Sequence, residues 1–256
     1  MFIRFLESIG KCVLDFLHFV GDVAILFAQS VQQIPKKIRP RHLLEQMSHL
    51  GVDTLPIVSL TLLFTGMVMT LQMAGELIKF GAESTVGGVV TIAIGRELGP
   101  VLVGVVTAGR VGSAMTAEIS TMKVTEQIDA LRVMATNPLG YLVVPRMLAC
   151  MVMVPILTVY GNIIGVLGGW IVALEYFGIS SYTYFSSIDR YADSADLYGG
   201  LIKAAVFGVV IATLGCYYGM RAPAGAEGVG KATTRSVVSA IIVIFLLNVI
   251  LSWMLY

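Results

Sequence analysis

Five long apolar stretches recur along the chain, and the shorter segments between them carry most of the polar residues. A membrane hydrocarbon core of about 30 Å requires about 20 apolar residues in a helix. By that length the pattern predicts membrane spans at roughly 55–75, 86–115, 147–174, 201–219 and 237–256. Because the number of spans is odd, the two termini are predicted to lie on opposite sides of the membrane.

The first thirty residues show a different pattern, in which polar positions step by three or four and form one stripe of a helix. The polar stripe consists of Arg4, Glu7, Lys11, Asp15, His18 and Asp22. No uninterrupted apolar core or small-residue cleavage site follows, so we interpret the segment as a retained helix in the membrane interface rather than a signal peptide. The alternative is a helix that packs on the rest of the protein. The predicted organisation is an interfacial helix with a basic linker over 1–40 and a membrane domain over 41–256.

Composition supports an integral membrane protein, since 57% of the residues are hydrophobic, only 13% are charged and the mean hydropathy is +0.86. Soluble domains average about 25% charged residues. The net charge of +1 and the lack of a basic stripe argue against a nucleic-acid partner. The cysteines and histidines show neither metal-ligand nor disulfide spacing. They are Cys12, Cys150, Cys216, His18, His42 and His49.

The distribution of Lys and Arg predicts the orientation in the membrane. Thirteen of the 17 lie in the region up to residue 48, in 110–146 or in 220–236, whereas only Lys79, Arg190 and Lys203 are assigned to the opposite side. Because cytoplasmic connections carry an excess of these residues, the N-terminus is predicted to be cytoplasmic and the C-terminus to face outward.

Two connections are longer than turns. Residues 116–138 place apolar residues near helical spacing until Asn137-Pro138, which predicts an amphipathic cytoplasmic helix that faces a partner. Residues 176–200 on the outer side are rich in Tyr and Phe, which is typical of an interfacial aromatic belt.

Small residues recur at a spacing of four, which predicts close helix packing and is compatible with self-association. The rows are Gly95/Gly99, Gly104/Ala108/Gly112, Gly161/Gly165/Gly169 and Ala204/Gly208/Ala212.

A near-match to a phosphate-binding loop, GAEGVGKAT at 225–233, does not predict ATP binding. Ala232 stands where Ser or Thr would hold magnesium, and an apolar span precedes the segment where a strand is expected. We interpret it as a flexible cytoplasmic loop. Because all the histidines precede residue 50, no Ser/His/Asp arrangement is predicted near the spans, and the chain is not expected to be an enzyme.

Arg96 and Glu97 are the unusual residues, because both are charged and both lie inside the second predicted span. A charge at the bilayer centre costs roughly 2.5–3.5 kcal/mol on insertion scales. Adjacent helix positions point about 100° apart, so at least one of the two is expected to face a cavity. A buried pair satisfied by neighbouring helices, and by the backbone near Pro100, remains the alternative. Arg110 lies near the cytoplasmic end, where a long cation can snorkel.

Several motifs occur in order along the chain: RELGP (96–100), AGRVGSAMTAE (108–118), TEQIDAL (125–131), NPL (137–139) and GKATTRSVV (230–238). Together they resemble the MlaE/YrbE permease family, the membrane subunits of ABC systems that move lipids with MCE-domain partners. The resemblance covers most of the chain from about residue 40 onward.

The resemblance implies a homodimer in which each copy has an interfacial helix and five spans. A coupling helix between spans two and three, about 117–136, would dock on the ATPase through Glu118, Thr125, Glu126, Asp129 and Arg132. A lipid cavity between the two copies would be lined by Gln72, Leu77, Phe80, Arg96 and Glu97. Phe80 supports an apolar lining at its position but not a polar contact.

The same resemblance implies the partners and the location. The chain is expected in the bacterial inner membrane as a multi-pass protein, with its C-terminus in the periplasm. It would act with an ABC ATPase of the MlaF type, an MCE-domain hexamer of the MlaD type and a STAS-domain protein of the MlaB type. ATP and magnesium would be used by the ATPase, with no cofactor or metal on this chain.

The expected activity is phospholipid movement between the inner membrane and the MCE-domain partner, which maintains outer-membrane lipid asymmetry. The alternative is a membrane scaffold for these partners without transport. A secondary transporter of small polar solutes is disfavoured, because such proteins usually have paired inverted halves and more intramembrane polar groups.

Overall fold

The computed structural model describes residues 2–34 and 40–256, and within them every regular element is helical. Six stretches of these residues are long and apolar enough to cross a membrane. They are Val13–Gln33, Leu43–Lys79, Glu83–Val124, Leu139–Glu175, Ser194–Met220 and Ala226–Leu255. The predicted all-α membrane protein is therefore confirmed.

The α-helices are α1 (Phe2–Gln33), α2 (Pro40–Gly51), α3 (Leu55–Lys79), α4 (Val86–Ala93), α5 (Gly99–Thr107), α6 (Ser113–Val124), α7 (Gln127–Val133), α8 (Val144–Glu175), α9 (Ser181–Tyr191), α10 (Ser194–Met220) and α11 (Ala226–Leu255). Between them lie 3₁₀ turns at Val52–Thr54 and Glu83–Thr85, and π-helical turns at Ile94–Leu98, Ala108–Gly112 and Leu139–Val143. Two of these π-helical turns join α4, α5 and α6 into one long span. We call the two ends of the bundle the α7 end and the α9 end.

Helix α1 lies against the α7 end of the bundle. The Phe19 ring is 5.4 Å from the ring of Tyr217 and 5.9 Å from that of Tyr218 at the end of α10. Asp22 forms an ion pair of 2.6 Å with Arg221 in the connection to α11. Helix α1 is long and apolar enough to cross a membrane, and its placement in the interface stays a prediction. The basic residues assigned to the linker, Lys36, Lys37 and Arg39, lie outside the described residues.

The predicted rows of small residues bring helix backbones together in the core. A Cβ atom on Gly66 of α3 would lie 1.9 Å from the carbonyl oxygen of Gly165 in α8. A Cβ atom on Gly208 of α10 would lie 2.4 Å from the carbonyl oxygen of Cys150, also in α8. Such contacts supply van der Waals packing where lipid removes the hydrophobic driving force between helices. Helix α8 is therefore the central helix on which α3 and α10 pack.

Replacing Gly66 with alanine is expected to destabilise the protein by about 1–3 kcal/mol, because the new methyl group forces α3 away from α8. The control is Gly109→Ala, since a Cβ atom on Gly109 would meet no atom within 4 Å. That variant reports the gain in helix propensity alone. Thermal unfolding of the detergent-purified variants measures the difference. Equal unfolding temperatures for the two variants would contradict this account of the α3–α8 contact.

The prediction of a single coupling helix over 117–136 is wrong, because two helices, α6 and α7, cover this segment in the structure. Helix α6 ends at Val124, Glu126 adopts a left-handed conformation with φ 61°, and α7 folds back from Gln127. This reversal buries Ile128 in a cluster with Ile119 and Leu142, which a continuous helix would leave apart. Nor does Asn137-Pro138 end the helix, since α7 stops at Val133.

Two further interpretations need correction. The near-match at 225–233 is not a flexible loop, because α11 begins at Ala226 and an ion pair of 2.6 Å joins Lys231 to Glu227 one turn before it. The aromatic segment 176–200 is also more than a belt. It contains α9, whose Tyr184 is only 1% exposed and donates a hydrogen bond to the carbonyl of Val166 at 3.2 Å.

Candidate functional site

Arg96 and Glu97 lie in the π-helical turn Ile94–Leu98 of the second long span. Such single turns are rare inside helices and occur frequently at functional sites. Pro100 follows four residues after Arg96 and has no N–H with which to bond the Arg96 carbonyl. That carbonyl instead accepts a hydrogen bond of 3.0 Å from the ammonium Nζ of Lys203 in α10. The backbone irregularity and the charged side chains thus form one feature.

Glu97 bridges α10 and α11 through its carboxylate. Its Oε1 accepts hydrogen bonds from Nζ of Lys203 at 2.7 Å and from Oγ of Ser252 at 2.9 Å. Its Oε2 accepts one from Nδ2 of Asn248 at 2.9 Å. The Lys203 ammonium also donates to Oγ of Ser252 at 2.8 Å. Its three N–H groups therefore have acceptors, as a buried ammonium requires.

Arg96 turns away from Glu97 and pairs with a different residue. Its Nε donates to Oδ1 of Asp196, near the start of α10, at 2.7 Å. Its guanidinium carbon lies 4.7 Å from the centre of the Tyr256 ring, a cation–π geometry. The hydroxyl of Tyr256 donates to the backbone carbonyl of Asp196 at 3.1 Å. We call these residues the intramembrane charge cluster: Arg96, Glu97, Asp196, Lys203, Asn248, Ser252 and Tyr256.

The side chains of this cluster are buried to different extents, and the difference decides which of them a ligand can reach. The partner side chains are inside the bundle, since Lys203 is 0% and Asp196 7% exposed. The side chains of Arg96 and Glu97 are 39% and 40% exposed. Each member of the adjacent pair is therefore held by a neighbouring helix and still has about two fifths of its side chain exposed. This geometry can bind a polar group that approaches the open side.

The partners of the pair were not predicted from the sequence. The assignment of Lys203 to the outer connections is wrong, because α10 begins at Ser194 and buries Lys203 within the span. An isolated lysine in an apolar stretch was the available signal, since such a residue needs an anion nearby. Asp196, Asn248 and Ser252 carry no comparable signal, because polar residues near the ends of spans are ordinary.

The other residues assigned to the cavity lie elsewhere on this chain. Gln72 and Phe80 are exposed, Phe80 to 82%, and Leu77 packs against the hydrophobic core. Within the described residues no hydrogen bond joins Gln72 to Arg96 or Glu97. The single chain therefore brings only Arg96 and Glu97 of the five assigned residues into one site.

The residues assigned to ATPase contact surround the reversal between α6 and α7. Asp129 forms ion pairs of 2.9 Å with Lys123 and 3.0 Å with Arg132. The hydrogen bond from Lys123 holds the pKa of Asp129 below its ordinary value. Glu118 instead pairs at 2.8 Å with the buried Arg146 of α8. Thr125 and Glu126 are exposed in the turn.

Large apolar side chains are exposed beside these charges. Val133, the last residue of α7, is 89% exposed, and Met134, just after it, is 66% exposed. Val124, the last residue of α6, is 37% exposed. We call residues 124–134 the α6–α7 surface. Exposed apolar groups rimmed by charges are typical of sites that contact another protein.

Arg110 lies in the second π-helical turn of the same span, Ala108–Gly112. Its Nη1 donates to Oγ1 of Thr54 at 2.9 Å, and its Nη2 lies 3.5 Å from Oδ2 of Asp53. The guanidinium thus connects this span to the 3₁₀ turn Val52–Thr54, which precedes α3.

Comparison with known proteins gives one family. Residues 43–254 match the family model described as Permease MlaE. A probable ABC transporter permease protein of Synechocystis is 44% identical over 220 residues, covering 86% of this chain and 84% of that protein. One of Rickettsia felis is 40% identical over 256 residues, covering 98% of each. The intermembrane phospholipid transport system permease protein MlaE of Haemophilus influenzae is 37% identical over 259 residues, covering 100% and 99%.

Proposed function

We infer the function from the family to which the chain belongs: it is a member of the MlaE permease family, so it is the permease subunit of an ABC transporter, a transport component rather than an enzyme. We propose that it moves phospholipid between the inner membrane and an MCE-domain partner. In a Gram-negative cell this movement would maintain the lipid asymmetry of the outer membrane. The name of the Haemophilus relative supports the choice of phospholipid as substrate.

The observation that carries the proposal is the intramembrane charge cluster. Ionisable side chains in a membrane are costly and by default mark a path for a polar substrate. A scaffold protein would not require charged residues at positions 96 and 97. In this chain the side chains of Arg96 and Glu97 are 39% and 40% exposed. A phospholipid headgroup offers a phosphate to the arginine and, in phosphatidylethanolamine, an ammonium to the glutamate.

A second copy of the chain would complete the cavity. One face of α3 exposes large apolar residues with helical spacing: Ile57, Leu60, Phe64, Val68 and Leu71. Gln72 and Phe80 lie exposed on and just after the same helix. In a homodimer these surfaces would supply the apolar lining that acyl chains need, opposite the open side of Arg96 and Glu97.

The α6–α7 surface is the proposed contact with the ATPase. Helix α6 continues without a break into the π-helical turns of the same span. A push on the turn at Glu126 would therefore be carried along one helix to Arg110 and then to Arg96. ATP binding and hydrolysis in the partner would bias two arrangements of this span that differ in affinity for lipid.

The orientation follows from the same proposal. With the ATPase on the α7 end, that end is cytoplasmic, as the Lys and Arg distribution predicts. Helix α1 contacts the bundle at Tyr217, Tyr218 and Arg221 on this end, which supports a helix along the cytoplasmic interface. The α9 end would then face the periplasm and the MCE-domain hexamer. A STAS-domain protein would associate on the ATPase side.

Transfer of a fluorescent phospholipid tests the proposal directly. The permease is reconstituted into liposomes with its ATPase and MCE-domain partners, and loss of the labelled lipid to acceptor vesicles is followed with and without ATP. We expect ATP-dependent transfer of phosphatidylethanolamine and none of a fluorescent polar solute. Assembly of all partners with no ATP dependence would instead support the scaffold.

A further inference from the structure

The ring of Tyr256, the residue that follows α11, lies against both cations of the intramembrane charge cluster. Its centre is 4.7 Å from the guanidinium carbon of Arg96 and 5.0 Å from Nζ of Lys203. The hydroxyl donates to the backbone carbonyl of Asp196 at 3.1 Å, which fixes the ring to the start of α10. One aromatic side chain therefore connects α11 to the two positive groups beside the open side of the cluster.

The neighbouring helix leaves room for this ring. Gly199, one turn after Asp196 on α10, has no side chain, and a Cβ atom there would lie 2.8 Å from Cζ of Tyr256. Trp253, one turn before Tyr256 on α11, differs because it is 86% exposed. A tryptophan so exposed near the end of a span is typical of an interfacial anchor. Tyr256 is only 47% exposed, and its place is set by its fit against α10 and the cations.

The two cations differ in what they can still bind. Lys203 is 0% exposed, and its three N–H groups already have acceptors. Arg96 is 39% exposed and donates through Nε to Asp196, while among the described residues its Nη1 and Nη2 donate no hydrogen bond. The cation–π contact acts on the charge of the guanidinium and supplies no acceptor atom, so these N–H groups remain available to a ligand. Two such groups in one plane suit bidentate binding of a phosphate.

We propose that Tyr256 is a positioning and specificity residue for the lipid headgroup. Its ring holds the guanidinium of Arg96 in place, with Nη1 and Nη2 left for the phosphate. The same ring covers Lys203, so that the phosphate meets one cation rather than two. The inference rests on the proposed function, which supplies the phospholipid, but headgroup binding can be measured without transport.

The cover over Lys203 has a consequence for headgroup selectivity. With the ring in place, the open side presents one partly exposed cation, Arg96, and one partly exposed carboxylate, Glu97. That arrangement suits a zwitterionic headgroup such as phosphatidylethanolamine. The negative face of the ring also reduces the positive potential of both cations. Removing the ring makes the site more positive, which favours a headgroup with a net negative charge, such as phosphatidylglycerol.

Competition between the two lipids tests the proposal. Liposomes with the reconstituted transporter contain equal amounts of phosphatidylethanolamine and phosphatidylglycerol, each with a different fluorophore, and the ratio of the two lipids transferred is measured. Because both compete in one reaction, the ratio does not depend on how much of the protein is folded. Tyr256→Leu should lower the ratio of phosphatidylethanolamine to phosphatidylglycerol about threefold, equivalent to about 0.7 kcal/mol. Tyr256→Phe keeps the ring and loses only the bond to Asp196, so it should restore most of the wild-type ratio.

The matched control is Trp253→Leu, which removes a ring from the same helix that forms no cation–π contact within the described residues. Its ratio should equal that of the wild type. An unchanged ratio in Tyr256→Leu, or an equal shift in Tyr256→Phe or Trp253→Leu, would overturn the proposal. Native mass spectrometry of the same purified complexes gives the ratio of the two lipids bound without transport. A shift in bound lipid with no ATP-dependent transfer by the wild type would overturn the proposed function alone.

Discussion

Glu97→Ala is expected to lower the free energy of unfolding by about 3 kcal/mol. The substitution leaves the ammonium of Lys203, which is 0% exposed, without its anion. Breaking a buried ion pair by removing one partner typically costs 3–5 kcal/mol, and the 40% exposure of Glu97 places this case at the lower end. Thermal or denaturant unfolding of the purified variant in detergent measures the loss.

The double variant Glu97→Ala/Lys203→Met separates the structural role of the cluster from its role in transport. It removes both charges and fills the space of the lysine with an apolar chain, so most of the lost stability should return. The rate of lipid transfer in the reconstituted assay should nevertheless stay at least about tenfold below that of the wild type. The reason is that losing a charged group that hydrogen-bonds the substrate costs more than about 1.4 kcal/mol of interaction free energy. Recovery of stability and transfer together would show that Glu97 only satisfies Lys203.

Val133→Asp and Met134→Asp are each expected to weaken binding of the ATPase about tenfold. Both side chains are largely exposed in this chain, at 89% and 66%. Covering one such side chain is worth about 1.5 kcal/mol, and the aspartate adds the cost of desolvating a charge. Titration of the detergent-solubilised permease with the ATPase, followed by surface plasmon resonance, measures the change.

The matched control for these variants is Thr234→Asp, which adds the same charge at an exposed position near the start of α11. It lies on the α7 end of the bundle but outside the α6–α7 surface. We expect its affinity for the ATPase to equal that of the wild type within a factor of two. Unchanged affinity of Val133→Asp and Met134→Asp would remove this surface from the coupling mechanism.

Much of the architecture follows from local sequence. Apolar stretches of about 20 residues determine where helices can cross a membrane, whatever they pack against. Rows of glycine and alanine identify the faces that approach closely, as at Gly165 and Gly208. The adjacent Arg96 and Glu97 mark the candidate site, because two charges in an apolar span require an explanation. The motifs around them also identify the family, which the match over 43–254 confirms.

The long-range pairings, in contrast, depend on the tertiary structure. The partners of Arg96 and Glu97 lie on α10 and α11, about a hundred residues or more along the chain, and hydropathy says nothing about which helices become neighbours. The reversal at Glu126 depends on burying Ile128 against residues from two other elements, so helical spacing alone predicted one helix there. The contact of the Tyr256 ring with Arg96 and Lys203 likewise arises only where α10 and α11 pack together. Helix formation in a membrane is decided locally by backbone hydrogen bonding, whereas the pairing of polar groups depends on how the finished helices assemble.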